Sequence, residues 1–374
     1  MADDSKDPWL LTPGPLTTSM GVKRAMLRDW GSRDPAFIAM TARVRERLVA
    51  LAGGQGGHVC VPLQGSGTFV VEAALATLIP WSGKTLVLAN GAYGARVARI
   101  LGLIGRAHEV YATPEDTPPD PGEVAARLAA DPAIGHVVLV HCETTSGILN
   151  PVEAIAGAVA GAGRALILDA MSAFGALPLD LQATPVAAVL ASANKCLEGV
   201  PGIGFAIVNR QALEAAAGNA ASLSLDLHDQ WRGLEANGQW RFTPPTHVLA
   251  ALDAALDEHA AEGGVAGRGA RYARNCEILV EGLRGLGLAP YLPEALQAPI
   301  IVTLHAPADP AFDFAAFYAA VAAQGYLIYP GKLTRAETFR VGCIGRLGEA
   351  EMRGAVAAIG AALDALGVRE RGPI

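Results

Sequence analysis

The sequence predicts an α/β protein in which a mostly parallel sheet lies between layers of helices. Short runs rich in Val, Ile and Leu alternate with longer Ala-rich stretches that have helical spacing. The alternation is typical of parallel strands joined by crossover helices, with both faces of the sheet covered. The chain has 374 residues, of which 51% are hydrophobic, so it is long enough to bury such a core.

The strands of this sheet are expected in one region, from about residue 60 to residue 210. The apolar runs that predict them are residues 85–90, 136–145, 165–172, 186–195 and 202–209. The stretch "PVEAIAGAVAGAG" at 151–163 separates the middle runs and predicts a crossover helix. We therefore expect one α/β domain here.

A second pattern begins after the polar segment "LHDQWRGLEANGQWRF". An Ala-rich helical segment at about 246–260 leads to further strand candidates, interleaved with helical stretches, at 300–305, 325–330 and 338–343. This arrangement predicts a smaller α+β domain. We place the N-terminal segment and the large domain at 1–250 and the small domain at 251–374.

Composition excludes several classes of function. The formal net charge is −7 and the 29 basic residues are scattered, so we expect no nucleic-acid partner. The five cysteines are an odd number without close pairing, which argues against a zinc site or a disulfide scaffold. The N-terminus has no basic-then-apolar signal, and no apolar run reaches the ~18 residues of a membrane helix. We expect a soluble, cytoplasmic protein that does not contact a membrane.

A lysine stands among small and apolar residues where a predicted strand ends. Lys195 follows "VAAVLASAN", and Asp169 ends the preceding predicted strand. Because ligands bind at the carboxyl ends of strands in an open parallel sheet, both side chains are expected at one edge. Alone, each has an ordinary explanation, as a surface lysine or a turn-capping aspartate. Together they match the amine and the carboxylate that pyridoxal phosphate requires.

A glycine-rich turn supplies a candidate anion site. The segment "QGSGTFVVEAALATLI" places Ser66, Gly67 and Thr68 just before an apolar helix, so free backbone N–H groups and two hydroxyls face one point. The Gly-Lys-Ser/Thr of a nucleotide P-loop is missing. Judged alone, the turn is equally well explained as a helix cap without ligand. Beside Lys195 and Asp169, it favours a site for the cofactor phosphate.

The ordered motifs identify a resemblance to a known family. The segments "LLTPGPLTTS", "LQGSGTFVVEA", "NGAYGAR", "HCETTSGILNP", "DAMSAFG", "SANKCLEGVPG", "WRFTPPTH" and "FRVGCIG" resemble those of the class V, fold-type I aminotransferases over nearly the whole chain. The resemblance implies a large domain whose mostly parallel sheet is of the seven-stranded type. It also implies that Lys195 binds pyridoxal phosphate covalently and moves protons. It implies that Asp169 is the partner of the pyridine nitrogen, and that Ser66, Gly67 and Thr68 hold the phosphate.

The resemblance also gives expected roles to four residues in other motifs. Tyr93 in "NGAYGAR" is expected to stack on the cofactor ring, although a buried core tyrosine is the ordinary alternative. Thr145 resembles a hydroxyl that contacts the ring oxygen, and Asn194 a polar neighbour of the phosphate. Arg340 in "FRVGCIG" is expected to bind the acid group of the substrate, whereas without the resemblance it would be explained as an arginine on a strand edge.

The segment "WRFTPPTH" implies a shared active site. In the family the corresponding segment crosses to the neighbouring subunit, so Thr243 and Arg241 are expected to hold the cofactor phosphate of a partner chain. The expected assembly is a homodimer. The role of Arg33 in "DWGSRDPAF" stays open between substrate binding, pairing with Asp34 and exposure to solvent.

Three activities are compatible with these motifs. The closest resemblance is to family members that transfer the amino group of 2-aminoethylphosphonate to pyruvate, which gives phosphonoacetaldehyde and L-alanine. An alanine- or serine-glyoxylate aminotransferase would keep every cofactor residue. A desulfurase or another lyase of the same fold would need a cysteine on a mobile loop, and neither Cys343, in an apolar strand, nor Cys196, beside the lysine, is placed for that role.

Overall fold

The computed structural model describes residues 7–373, which form 14 strands and 12 α-helices. The strands are β1 (Trp9–Leu10), β2 (His58–Gln64), β3 (Lys84–Ala89), β4 (Ala107–Ala112), β5 (Ile134–Val140), β6 (Cys142–Glu143), β7 (Ile148–Leu149), β8 (Ala165–Asp169), β9 (Ala188–Ser192), β10 (Ile203–Asn209), β11 (Ile301–His305), β12 (Tyr326–Leu327), β13 (Tyr329–Pro330) and β14 (Thr338–Gly342). The helices are α1 (Met20–Ala25), α2 (Pro35–Leu51), α3 (Gly67–Leu78), α4 (Ala92–Leu103), α5 (Pro121–Ala130), α6 (Val152–Gly161), α7 (Arg210–Ala215), α8 (Leu227–Asn237), α9 (Thr246–Ala261), α10 (Gly264–Gly285), α11 (Phe314–Ala322) and α12 (Glu349–Ala365).

The central sheet has seven strands in the order β2-β10-β9-β8-β5-β3-β4. Strand β10 is antiparallel to both of its neighbours, and the five strands from β9 to β4 are mutually parallel. The predicted mostly parallel sheet is confirmed. Every residue of β9 is buried, as expected for a strand covered on both faces.

Two strands of this sheet were not predicted, and both lie at its edges. Strand β2 contains Pro62, which has no N–H to donate and is tolerated because β2 pairs only with β10. Strand β4 has no fully buried residue, so it lacks the apolar run that marks the central strands. The predicted strand at 136–145 is shorter than expected, because β5 ends at Val140 and a small β6-β7 hairpin follows.

Helices cover both faces of the central sheet. Helices α2, α5, α6 and α9 pack on one face around residues such as Phe37, Leu48, Ile155 and Leu256. Helices α3 and α4 cover the other face, with α7 and α8 beside them. This is the layered α/β arrangement that the alternating pattern predicts.

The C-terminal part is built on a smaller antiparallel sheet of order β11-β14-β13. Helices α10, α11 and α12 share its core. The chain also returns here from its N-terminal segment, since β1 pairs in parallel with β12 and Gly342 N–H donates to the carbonyl of Leu11. The boundary predicted between residues 250 and 251 falls inside α9, and the division of the chain into two domains stays a prediction.

In the part of the chain that the structure describes, no helix is both long enough and apolar enough to cross a membrane.

Candidate active site

A cavity of about 220 Å³ opens where the carboxyl ends of β8 and β9 meet the N-termini of α3 and α4. It brings together seven of the residues predicted from sequence, which come from four separate motifs. These are Ser66, Gly67, Thr68, Tyr93, Asp169, Asn194 and Lys195. The position agrees with the rule that ligands of open α/β sheets bind at the carboxyl ends of the strands.

Lys195 follows the end of β9, and its amine turns toward the N-terminal segment. The Nζ atom donates a hydrogen bond to the carbonyl oxygen of Pro13. Burial lowers the pKa of Lys195, although Tyr93 and Asp169 favour the charged form and oppose the effect of burial. A lysine amine that loses its proton more readily than usual is suited to nucleophilic attack and proton transfer.

Asp169 is the last residue of β8 and is almost completely buried. Its Oδ1 accepts a hydrogen bond of 3.1 Å from the Met171 N–H, and within residues 7–373 Oδ2 accepts none. Burial raises the pKa of Asp169 to about 6, against the hydrogen bond from Met171, and Glu143 adds to the rise. The carboxyl group therefore has an unused acceptor that faces the cavity and that a cationic N–H donor would stabilise.

The N-terminus of α3 forms a cradle without side-chain obstruction. Ser66 is the N-cap residue, but its hydroxyl makes no capping hydrogen bond. A Cβ atom at Gly67 would lie 2.6 Å from Met171 Sδ, so a side chain at this position would require Met171 to move. Free N–H groups and an uncommitted hydroxyl therefore face the cavity, as an anion requires.

Arg96 is a lining residue that the sequence reasoning missed. Its Nη1 donates to Thr68 Oγ1 over 3.2 Å, and its guanidinium lies 4.8 Å from the centroid of the Tyr93 ring. The arginine adds a positive charge to the anion cradle. It stands three residues after Tyr93 on α4, so the spacing of residues on one helix face could have indicated it.

A buried carboxylate holds the first turn of α4 in place. Glu143 is fully buried, and its Oε2 accepts hydrogen bonds from the N–H groups of Tyr93 and Gly94 over 3.1 and 3.2 Å. Burial raises the pKa of Glu143, while its hydrogen bonds with Thr145 oppose the rise. Because Glu143 caps the helix on which Tyr93 stands, it fixes the position of that ring.

Thr145 does not line the cavity in this structure. Its hydroxyl donates to Glu143 Oε1 over 2.6 Å and accepts from the Ala92 N–H over 2.9 Å, so the side chain joins the same cap. It is fully buried. A contact between Thr145 and the cofactor ring stays a prediction.

Arg340 is almost completely buried on β14, next to the β6-β7 hairpin. Its Nε donates to the Pro330 carbonyl over 3.0 Å and its Nη1 to the Thr144 carbonyl over 2.8 Å. Within residues 7–373, Nη2 donates to no protein atom. Burial lowers the pKa of Arg340, and its charge in turn favours the neutral form of Lys195. The open guanidinium edge is thus electrostatically coupled to the candidate catalytic lysine.

Arg241 and Thr243 lie at a different place. With Arg33 they line a separate surface cavity, and none of the three contacts the cavity around Lys195. Thr243 is exposed. The Nη2 of Arg241 lies 3.5 Å from Asp229 Oδ2, whereas its Nη1 is buried without a hydrogen-bond partner.

A buried charge network anchors the loop that carries Lys195. Arg268 Nη1 donates to the Cys196 carbonyl over 2.5 Å, and the Tyr272 hydroxyl donates to Glu198 Oε1 over 2.6 Å. Gly345 N–H donates to the Tyr272 hydroxyl over 3.2 Å. Helix α10 therefore connects the lysine loop to the turn after β14, and sequence reasoning identified none of these contacts.

The residues around the cavity fit pyridoxal phosphate. Lys195 provides a buried amine, Asp169 has a free carboxylate oxygen, and the α3 N-terminus provides an open anion cradle with Arg96 beside it. Tyr93 supplies an aromatic face. An amine, a carboxylate, an aromatic ring and an anion site are the groups that this cofactor needs from a protein.

The fold and the site define an aminotransferase of class V, and the chain belongs to that family. Residues 109–308 match the family model described as aminotransferase class-V. A curated relative from Burkholderia pseudomallei (strain K96243), named 2-aminoethylphosphonate–pyruvate transaminase, is 59% identical over 366 residues, which are 98% of this chain and 99% of the relative. The predicted family is confirmed, and membership implies dependence on pyridoxal phosphate.

Solved structures confirm the fold-type I architecture. The alanine–glyoxylate aminotransferase from Nostoc sp. superposes with a TM-score of 0.90 at 23% identity, over 97% of each chain. The pyridoxamine-pyruvate aminotransferase from Mesorhizobium loti gives a TM-score of 0.88 at 27% identity, over 98% of this chain and 95% of the other.

Proposed function

We propose that this chain transfers the amino group of 2-aminoethylphosphonate to pyruvate and so produces phosphonoacetaldehyde and L-alanine. The observation that carries the proposal is the buried guanidinium of Arg340, whose Nη2 is free and whose charge acts on Lys195. A cation fixed in this way suits an acidic substrate whose amino group must reach the lysine. The relatives that share 59% identity support the choice of substrates.

Seven residues are proposed to hold pyridoxal phosphate, and Lys195 among them is the covalent attachment. Asp169 would accept the pyridine N–H through Oδ2, and Tyr93 would stack on the ring. The phosphate would lie at Ser66, Gly67 and Thr68, with Asn194 nearby. When bound, the cofactor accepts the amino group and stabilises negative charge on the carbon next to it.

The side chains of the protein supply proton transfer and orientation. Because burial lowers the pKa of Lys195, its neutral Nζ can take a proton from the substrate carbon that bears nitrogen and return it elsewhere. Asp169 keeps the proton of its N–H partner in place. Arg340 fixes the acid group, so that the reacting carbon stays within reach of Lys195.

We infer that the active unit is a homodimer in which Arg241 and Thr243 serve the partner's site. Within one chain both lie away from the Lys195 cavity, Thr243 is exposed, and Arg241 Nη1 has a buried donor without an acceptor. A phosphate from the neighbouring site would provide acceptors for such groups. The family role of "WRFTPPTH" supports the same arrangement.

The cysteines argue against a desulfurase. Cys60, Cys142, Cys196, Cys276 and Cys343 are all buried. Burial raises the pKa of the Cys196 thiol to about 12, so the cysteine nearest Lys195 in the chain stays protonated.

A panel of amino donors tests the proposed function. Purified holoenzyme is mixed with 2-aminoethylphosphonate, β-alanine, L-alanine or serine as the donor and with pyruvate or glyoxylate as the acceptor. The amino product, L-alanine or glycine, is measured. We expect the highest kcat/KM with 2-aminoethylphosphonate. Activity confined to alanine or serine with glyoxylate would instead identify the alanine- or serine-glyoxylate type of aminotransferase.

A further inference from the structure

A second cation lies beside an aromatic residue of the site, on the segment between β13 and β14. Lys332 is half-buried, and its Nζ lies 4.1 Å from the centroid of the Tyr93 ring. Within residues 7–373 it forms no ion pair. Burial raises the pKa of Tyr93, but the charges of Lys332 and Lys195 outweigh burial and hold that pKa below its usual value. An ammonium without a counter-ion therefore stands beside a residue that lines the cavity.

The segment that carries Lys332 is held at both of its ends. Gly331 packs against Thr338 so closely that a Cβ atom would lie 2.2 Å from the Thr338 carbonyl oxygen. Further along, Glu115 from the large sheet region accepts hydrogen bonds of 3.2 Å from the Thr334 N–H. Contacts on either side of Lys332 thus fix the backbone from which its side chain extends.

Lys332 and Arg340 are parts of one local structure. Arg340 Nε donates to the carbonyl of Pro330, two residues before Lys332, and Tyr329 pairs with Arg340 across β13 and β14. Tyr93 is electrostatically coupled to Arg340 as well, since it partly offsets the effect of burial on the arginine pKa. Lys332 thus contacts the Tyr93 ring, and Arg340 interacts electrostatically with the same residue.

The two amino donors of the proposed reaction, L-alanine and 2-aminoethylphosphonate, have acid groups of different size and charge, and one arginine cannot pair fully with both. In L-alanine one carbon separates nitrogen from a planar carboxylate with a single negative charge. In 2-aminoethylphosphonate two carbons separate nitrogen from a tetrahedral group that has three oxygens and up to two negative charges. The phosphonate extends further from the reacting nitrogen and has an oxygen beyond the two that a guanidinium edge can bind.

We propose that Lys332 is the residue that distinguishes a phosphonate donor from a carboxylate donor, by binding the oxygen and the charge that Arg340 leaves unpaired. The proposal rests on the proposed function of this site. A mobile ammonium on a flexible stem suits a tetrahedral dianion, whereas the planar fork of Arg340 suits the part that both donors share. Lys332 is thus a determinant of specificity, and Arg340 is the acid-binding residue for either donor.

Lys332→Met tests the proposal because it removes the charge and keeps a long side chain over Tyr93. Holoenzyme is mixed with either 2-aminoethylphosphonate or L-alanine, and the cofactor absorbance reports a single turnover with each donor. We expect kcat/KM for the phosphonate to fall roughly 10- to 100-fold, as for one lost hydrogen bond to a charged group. The value for L-alanine should change by no more than about threefold, because its carboxylate uses Arg340. Lys332→Arg keeps the charge and should restore most of the phosphonate activity.

Arg335→Met is the matched control. It removes one positive charge from the same segment, but Arg335 is exposed and lies near Tyr291, where its charge opposes the burial that raises the pKa of that phenol. Arg335→Met should leave the ratio of kcat/KM for 2-aminoethylphosphonate and L-alanine unchanged.

Four outcomes would overturn the proposal. Equal losses of kcat/KM with both donors in Lys332→Met would mean that Lys332 acts on Tyr93 or the cofactor. A cofactor absorbance that differs from the wild type before any donor is added would mean the same. Values of kcat/KM that stay unchanged with both donors in Lys332→Met would mean that Lys332 does not contact the phosphonate. A wild-type enzyme that converts L-alanine but not 2-aminoethylphosphonate would refute the proposed function, and the role of Lys332 with it.

Discussion

Lys195 donates a hydrogen bond from Nζ to the carbonyl oxygen of Pro13, although 182 positions separate the two residues. The N-terminal segment therefore lies directly over the amine. Gly14, the next residue, has a φ of +108°, and a Cβ atom there would lie 2.6 Å from Lys195 Cδ and 2.8 Å from Nζ. Only glycine satisfies both the backbone conformation and the close approach.

Gly14→Ala should therefore displace the Lys195 side chain. We expect kcat/KM to fall by at least about tenfold, because the new methyl group takes the space of the amine and small misplacements of a reacting group are costly. Gly56→Ala is the control, since Gly56 also has a positive φ, of +84°, but no atom lies within 4 Å of a Cβ there. Steady-state kinetics of both variants check the prediction, and equal effects would contradict it.

Lys195→Ala should abolish the covalent attachment of the cofactor. Borohydride reduction of the wild-type holoenzyme should fix the cofactor to Lys195, as peptide mass spectrometry can verify, and the variant should lack both the adduct and the visible absorbance of the linked cofactor. Lys84→Ala is the control, because Lys84 forms ion pairs with Glu109 and Asp131 instead. An adduct on any other lysine would refute the role of Lys195.

Asp169→Asn should stabilise the cofactor-free chain at neutral pH. Burial raises the pKa of Asp169 to about 6 from an ordinary value of 3.8, so the folded state binds the proton more tightly than the unfolded state. The free energy of unfolding should fall as pH rises from about 4 to about 6, by on the order of 3 kcal/mol for two pKa units, and the amide removes this loss.

Urea unfolding at about pH 4.5 and about pH 8 checks this expectation. Asp116→Asn, which changes an exposed aspartate, should leave the pH dependence as in the wild type. The same Asp169→Asn substitution should cripple turnover, because a neutral amide cannot hold the proton on the cofactor nitrogen. If Asp169→Asn is less stable than the wild type at pH 8, the buried carboxylate does not destabilise the folded state and the prediction is wrong.

Mixed dimers test whether the active sites are shared. Lys195→Ala subunits and subunits with both Arg241→Ala and Thr243→Ala should each be inactive or nearly so. If the segment acts across the dimer, a heterodimer has one site with both defects and one intact site. Refolding an equimolar mixture should then restore roughly a quarter of the wild-type activity, since about half of the dimers are mixed and each has one good site.

The control for this experiment uses two variants whose altered residues belong to the same subunit in every site. Lys195→Ala mixed with Asp169→Asn gives heterodimers in which each site keeps one defect, so activity should not recover. A monomeric chain, or no recovery with the Arg241 and Thr243 subunits, would show that the segment does not act in trans.

The sequence predicted those parts of the site that depend on strand ends and on motifs. Asp169 ends the buried strand β8 and Lys195 lies three residues after the end of the next buried strand, β9, so the strand pattern alone placed them at one edge. The cap of α4 by Glu143 and the contact of Lys195 with Pro13 were not predictable in this way. Both join residues that are far apart in the chain, and neither follows a local period.

Sequence reasoning also missed one buried charge and the two edge strands. Arg268 is completely buried behind the lysine loop, although an arginine on a helix is usually expected on the surface. Its partners come from two other segments, and only the tertiary fold brings them together. Strand β4 was missed because it lacks a continuous apolar run, whereas β2 has a buried run that contains Pro62, a residue that argues against a strand.

Arg340→Lys should weaken both half-reactions, in contrast to the donor-selective effect expected of Lys332→Met. Arg340 uses Nε and Nη1 to reach the carbonyls of Pro330 and Thr144, which leaves Nη2 and the open edge for the substrate. A lysine has a single nitrogen and cannot satisfy two buried carbonyls and an acid group with the same planar geometry.

Each lost hydrogen bond to a charged group is worth about 1.5 to 3 kcal/mol, so kcat/KM should fall at least about tenfold with both 2-aminoethylphosphonate and L-alanine. β-Alanine should remain far poorer than 2-aminoethylphosphonate in the wild type, since it has the same chain length but less charge and one oxygen fewer. Arg353→Lys, at an exposed position of α12, is the control and should leave all three donors unaffected. A loss confined to one donor in Arg340→Lys would mean that the two acid groups bind at separate places, and Arg340 would then serve only the donor that suffers.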